Sequence, residues 1–360
     1  MIAVDDRIGK IQERLKTENI DGFLVTCWEN KRYLTNFSGS TGWVVVTPDR
    51  CIIMIDGRYT EQAAQECPSF VERIHISDFV AGFPKELPAT LNQLKLKRLG
   101  IEAHKMTLLE ARSIEENSGS VTLVSTTGWI EALRIKKSPE EVRLLREAIL
   151  MGEKACEKGI SKVEPDVPEV KIAHTIIDYL SQHGVKESFD TIVASGERSA
   201  MPHGRPTERK MKKGDVVVID MGALVSGYHS DITRTVCIGE PTDEQKKVYE
   251  LLQKAQEAAY KVIKPGITGK EADAAARKAI QEAGYGDYFS HGLGHGIGLE
   301  IHEAPPLRKT GDQVLEEGMV VTVEPGIYMA GKFGMRLEDD VLVTADGCEI
   351  LTKIPQKLKL

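Results

Sequence analysis

A chain of 360 residues is long enough for two domains, each burying its own core. It is 41% hydrophobic and 28% charged, as expected of an ordinary globular protein, and 47 basic against 54 acidic residues leave a net charge of −7, which argues against a nucleic-acid or anionic-membrane partner. No apolar run reaches the roughly 18 residues of a membrane helix, and the six scattered cysteines lack CxxC spacing, which excludes a zinc ribbon or disulfide framework.

The start, "MIAVDDRIGK", lacks the basic and then apolar segments of a signal peptide, so a cytoplasmic protein with reduced thiols is expected. A helix-like "IGKIQERLKTENI" leads to the strand "DGFLVT", and "WVVVT" and "CIIMID" read as a strand pair. Helical "RYTEQAAQE", strand "FVERIHI", helix "LPATLNQLKLK", strand "RLGIEA", helix "LLEARSIEE" and strand "VTLVS" follow. Short strands alternating with amphipathic helices predict an α/β domain with a mixed sheet over residues 1–130. The polar stretch over residues 131–138 reads as a linker to a second domain, residues 139–360. That domain opens on a helix start: Ser138 as N-cap, Pro139 at the first helical position and Glu141 closing a capping box. Val142, Leu145, Ile149 and Gly152 continue its apolar stripe.

From there the chain repeats itself. "KKGDVVVIDMGALVSGYHSDITRT" resembles "EEGMVVTVEPGIYMAGKFGMRLED", and aligning Gly214 with Gly318 superposes Asp220 on Glu324 and Gly222 on Gly326. Upstream, each copy carries two helix-like stretches around a proline break, Pro165 in one and Pro265 in the other, closing at Gly184 and Gly284. Such a unit used twice predicts an α+β domain of pseudo-two-fold symmetry with its site between the halves. Pairing about the "VS" of "LVSG" sets Asp220 opposite Asp231, and pairing about Gly331 sets Glu324 opposite Glu338. Directly opposed like charges are destabilising. One such hairpin is as readily explained by exposed strand-end acids. Two at equivalent places point to a cation between them, most simply a divalent one.

The segment "HGLGHGIGLEIHE" sets glycine at alternate positions among His291, His295 and His302, a poor helix and a good extended stretch. His291 and His295 then share a face, and the bare glycine face admits close approach of other backbone. His203, in "SAMPHGRP", occupies a Pro/Gly-flanked loop. Four carboxylates and an imidazole suit two first-row divalent ions better than the ligand sets of single zinc sites. Two ions about 3.5–4 Å apart can share a water, lower its pKa and polarise a carbonyl, which is hydrolytic chemistry.

The motifs "PHG", "DMGA…GYHSDITRT", "HGLGHGIGLEIHE", "VEPG" and "RLED" resemble those of the pita-bread metallopeptidases, in their Xaa-Pro branch of prolidases and aminopeptidases P. "ENKRYLTNFSGSTG" and "DGRYTEQA" resemble that branch's N-terminal domain, so the likeness spans the chain. The resemblance implies a pita-bread catalytic domain behind a creatinase/prolidase-like α/β domain. It implies that Asp220 binds one ion, that His295 and Glu324 bind the second, and that Asp231 and Glu338 bridge. Glu324 doubles as proton shuttle, His203 and His302 meet the substrate carbonyl, and His291 lines the proline side. Tyr228 and Arg336 match supporting positions beside the substrate. The substrate implied is a small peptide with proline second, the metal manganese, with cobalt or zinc as alternatives, and the assembly a homodimer. A creatinase-like amidinohydrolase or a non-catalytic relative would lack part of the ligand set, and here every position is filled. Methionine aminopeptidases share the metal pattern but lack the N-terminal domain.

Overall fold

The computed structural model describes residues 4–80 and 83–360, which divide into two compact units after Arg134. In the first unit, strands β1 (Gly22–Val25), β2 (Trp43–Val46), β3 (Cys51–Asp56), β4 (Glu72–Ile76), β5 (Arg98–Glu102) and β6 (Thr122–Thr126) form one sheet in the order β4-β3-β2-β1-β5-β6. The β1–β2 and β2–β3 pairs are antiparallel and the β3–β4, β1–β5 and β5–β6 pairs parallel, so the sheet is mixed, as expected. β1 and β2 are buried at every position. Their near-continuous Val, Leu and Phe runs suit strands covered on both faces. Helix α1 (Asp5–Thr17) buries Ile8, Ile11 and Leu15 in one stripe. A helix without the expected apolar pattern, α2 (Trp28–Thr35), occupies "WENKRYLT" and stops where Asn36 turns left-handed at φ 61°. Its buried positions include Asn30 and Lys31, which hide the usual apolar stripe.

The stretch expected as a linker is more ordered than that. Glu131–Arg134 forms a helical turn, and Lys136 bridges to Met319 within the second unit. The second unit then opens on the expected capping box. Glu141 N–H donates to Ser138 Oγ at 3.3 Å, and Ser138 N–H donates to the Glu141 carboxylate at 3.0 Å. Helices at Pro139–Ile160 and Glu169–Gln182 form the first pair, and those at Asp243–Val262 and Gly269–Glu282 the second. The two halves therefore carry matching helix pairs, each closed by a left-handed glycine, Gly184 at 69° and Gly284 at 85°. No described helix is long and apolar enough to cross a membrane, and all six cysteines are free thiols.

Besides a short strand at Lys186–Glu187, this unit contains β7 (Ile192–Ser195), β8 (Val216–Met221), β9 (Ala223–Val225), β10 (Tyr228–His229), β11 (Ile232–Cys237), β12 (Gly294–Gly296), β13 (Glu303–Leu307), β14 (Val320–Val323), β15 (Gly326–Met329), β16 (Phe333–Arg336), β17 (Asp339–Val343) and β18 (Cys348–Ile350). They build a three-stranded sheet, β7-β8-β11, and a five-stranded one, β13-β12-β14-β17-β18. The first acid-bearing hairpin differs from the expected register by two residues, its turn centre falling one residue later. Asp220 lies opposite Thr233, not Asp231, and Val225 pairs with Tyr228. The turn is Ser226–Gly227, with φ 50° and 81°. Two positive φ values in a row make a type I′ turn, which fits the strand twist better than a turn centred one residue earlier. Asp231 instead follows Ser230, whose carbonyl oxygen would lie 1.8 Å from a Cβ on Gly222, so only glycine fits there. In the second hairpin the register runs Gly326↔Arg336 and Val323↔Asp339, and this brackets Glu324 and Glu338 as partners, as expected.

Candidate metal centre

The hairpin ends of both halves meet at one cavity of about 950 Å³. Asp220 is the penultimate residue of β8, Asp231 precedes β11, His295 sits in β12, Glu324 follows β14 and Glu338 joins β16 to β17. All five line that cavity. His295 Nε2 lies 3.6 Å from Asp231 Oδ2 and 3.5 Å from Glu324 Oε1. One ligand atom each from Asp231, His295 and Glu338 fall within 4.8 Å of one another. His295 Nδ1 donates to its neighbour's carbonyl, Gly296 O, at 3.0 Å, which leaves the Nε2 lone pair facing the acids. The alternate glycines permit this placement. A Cβ on Gly294 would meet Thr322 O at 2.1 Å, and one on Gly296 would meet Ala304 O at 2.1 Å. The bare face of β12 is therefore used by backbone, as the alternation suggested.

The electrostatics are those of crowded, buried acids. Burial, and then repulsion from Glu338, Asp220 and Glu324, holds the Asp231 carboxyl well above the ordinary range. Burial, and then repulsion from Glu324 and Asp220, raises Glu338 likewise, with Arg336 and Thr233 opposing. Burial pushes Glu324 up to about 8, again against Arg336. Burial lowers His295 and His291 to about 4, so both are neutral bases at physiological pH. Arg336 is the buried counter-charge. It pairs with Asp220, and its Nε donates to Thr233 Oγ1 at 3.0 Å while that hydroxyl donates to Glu338 Oε2 at 2.7 Å. One guanidinium cannot neutralise four carboxylates. Asp220 Oδ1 and Asp231 Oδ1 are also buried with no hydrogen-bond partner. Orphaned oxygens of hard donors, beside an imidazole with its lone pair turned inward, fit divalent cations.

The remaining expected site residues divide. His203, His291, His302 and Arg336 line the cavity, and the His302 ring stands edge-on to His295 at 4.4 Å. Tyr228 does not line it, which corrects the expectation that it meets substrate: it is buried at the hairpin tip, and its hydroxyl donates to Glu141 at 2.9 Å. Three further contributors carry no motif in the sequence. Thr233 is one. Tyr328 is another: its hydroxyl accepts from Arg336 Nη1 at 2.7 Å and lies 3.0 Å from His291 Nε2. In the repeat it stands where the first copy has Leu224, so no equivalent residue marks it. Arg308 also lines the cavity and, among the described residues, is the lining cation without an acidic partner, because Arg205 pairs with Asp190 and Arg336 with Asp220.

Comparison with known proteins agrees with this geometry. Residues 143–345 match metallopeptidase family M24, and residues 7–136 match the creatinase/prolidase N-terminal domain. A Pyrococcus horikoshii protein described as an Xaa-Pro dipeptidase is 36% identical over 360 residues, covering 99% of this chain and 100% of the relative. The solved structure of an Xaa-Pro dipeptidase from Bacillus anthracis superposes with a TM-score of 0.95 at 39% identity, covering 99% of this chain and 100% of the other. An X-Pro aminopeptidase from Thermotoga maritima superposes at 0.89 with 38% identity, covering 97% and 100%.

Proposed function

This chain belongs to metallopeptidase family M24, and we propose that it hydrolyses the bond between an N-terminal residue and a following proline with the help of two divalent ions. The observation that carries this reading is the convergence of Asp231, His295 and Glu338 within 4.8 Å, on a cavity that Asp220 and Glu324 also line. Asp220 would hold one ion, His295 and Glu324 the other, with Asp231 and Glu338 shared between them. Bound there, such ions supply a water of lowered pKa and polarise the scissile carbonyl.

The chain's own residues do the rest. Glu324 takes a proton from the attacking water and returns it to the proline nitrogen, which leaves poorly unless protonated. His203 and His302 donate to the carbonyl oxygen as negative charge builds there. His291 presents its ring to the proline. Its Nε2 is engaged by the Tyr328 hydroxyl, and its Nδ1 by Gly292 O at 2.8 Å. An Xaa-Pro bond has no N–H and a fixed proline φ, so a site gripping substrate as a strand loses a donor, whereas a cavity of side chains does not. Arg308 stands beside Gly292, where a Cβ would meet its own Cβ at 2.9 Å, and its guanidinium suits the free carboxylate of an Xaa-Pro dipeptide. That favours dipeptides over longer peptides. The names of the Pyrococcus horikoshii and Bacillus anthracis relatives support the same substrate class. Manganese suits the oxygen-rich donors, ahead of cobalt or zinc. A homodimer in the cytoplasm completes the reading.

The test is Asp231→Asn, assayed for bound metal and for proline release from Xaa-Pro dipeptides. Both should be lost. Retained cleavage in that variant would remove the basis of the assignment.

A further inference from the structure

The His302 imidazole has no hydrogen-bond partner among the described residues, and its ring contact is with His295. Its position therefore depends on the backbone of the loop joining β12 to β13, residues 297–302. That loop is anchored at its start, where Ile297 N–H donates to Val320 O at 3.2 Å and His229 N–H donates to Gly298 O at 2.9 Å. Toward its end it is held by a side chain. The Glu303 carboxylate folds back under the loop and accepts the Glu300 N–H at 2.9 Å. Its other oxygen lies 3.3 Å from Lys137 Nζ, and these two side chains are 6% and 1% exposed.

Lys137 is fixed in turn. Its N–H donates to Gly318 O at 2.8 Å, and its Nζ also donates to Ile135 O at 3.2 Å. Gly318 lies in the turn that leads into β14, the strand that leads to Glu324. A chain of contacts thus runs from the Glu324 strand through Lys137 and Glu303 to the loop that ends in His302. A buried ion pair is a poor route to stability, since apolar residues of similar volume often serve as well or better. An apolar pair could not hold the Glu300 amide.

We propose that Lys137, acting through Glu303, is a positioning residue that fixes the loop carrying His302 in register with Glu324. This rests on the reading that His302 meets the substrate carbonyl. It predicts a contribution to kcat that passes through His302 and leaves metal binding intact, because His295 is held separately by the Gly296↔Val321 pairing of β12 with β14.

The experiment uses the full chain loaded with Mn²⁺ and an Xaa-Pro dipeptide, measuring kcat, KM, bound metal and thermal unfolding. Lys137→Met should lower kcat by about tenfold to a hundredfold, the scale expected for a misplaced catalytic group, with bound metal unchanged. In the His302→Ala background the same change should lower kcat no further. The double variant Lys137→Met/Glu303→Leu removes the buried carboxylate together with its Lys137 partner, so it should regain part of the melting temperature that Lys137→Met loses but not the kcat. Equal losses of kcat in both backgrounds, or kcat returning together with stability in the double variant, would overturn the positioning role. Wild-type kcat in His302→Ala would instead overturn the placing of His302 at the carbonyl, and the role of Lys137 with it.

Discussion

Replacing Thr233 with valine removes one hydroxyl from a fully buried position with almost no change of shape. That hydroxyl donates to Glu338 Oε2 at 2.7 Å and accepts from Arg336 Nε at 3.0 Å. A hydrogen bond to a charged group contributes about 1.5–3 kcal/mol, which corresponds to roughly a ten- to hundredfold change in a binding constant. Loss of a group that orients a metal ligand falls in the same range, roughly 10–100-fold in metal affinity. Thr233→Val should therefore weaken Mn²⁺ binding by about one to two orders of magnitude. Thr233→Ser, which keeps the hydroxyl, should stay near wild type. The assay is competition of metal-stripped protein with a fluorescent chelator, run beside thermal unfolding of the metal-free forms. If Thr233→Val lowers the melting temperature yet binds Mn²⁺ within a factor of two of wild type, the hydroxyl only supports the fold, and Glu338 is not a ligand.

Removal of metal by a chelator should abolish Xaa-Pro cleavage, and Mn²⁺ should restore it; activity that survives exhaustive stripping would contradict a metal-dependent site. The pH dependence of the stripped protein has a definite sign. Glu324 is raised from 4.5 to about 8 in the fold, so its stabilising contribution is complete below the unfolded value and is lost as pH rises through about 8. The metal-free protein should melt lower at pH 8.5 than at pH 6, while the shift gained on adding Mn²⁺ grows, because binding needs ionised ligands; a metal-free melting temperature that climbs over this interval would contradict the burial argument. Arg308→Ala should raise KM for an Xaa-Pro dipeptide about tenfold or more, by loss of a charge-assisted contact, and leave an Xaa-Pro amide nearly unaffected; equal effects on both substrates would show that Arg308 does not bind the carboxylate. Gly222→Ala puts a methyl 1.8 Å from Ser230 O, so it should destabilise the chain by about 1–3 kcal/mol or more and release metal; an unchanged melting temperature would refute the close packing beside Asp231.

Much of this architecture can be read from the residues, because its signals are periodic and local. Ser138, Pro139 and Glu141 announce the first helix of the second unit, and the same box forms in space. The repeat pairs Asp220 with Glu324 because both end apolar strands that follow a left-handed glycine, Gly214 at 90° and Gly318 at 88°. What remained hidden depends on geometry that residue types do not carry. The turn of the first hairpin falls one residue later than expected, and the register two, because Ser226, rather than a glycine, takes the first positive φ of the turn. Helix α2 is not marked in the sequence because it buries Asn30 and Lys31 where a stripe of leucines would mark it. Tyr228 was placed by resemblance near the substrate, but its hydroxyl is used on Glu141. Arg308 and Thr233 carry no local pattern. Their importance comes from which side chains lie opposite them once the two halves close on one cavity.

The most direct measurement is calorimetric titration of the metal-stripped chain with Mn²⁺, repeated on Asp231→Asn. Two ions per wild-type chain, and loss of binding in the variant, are the result predicted for five ligands gathered from both hairpins. Wild-type protein that takes up no ion, or an Asp231→Asn variant that still takes up two, would contradict it.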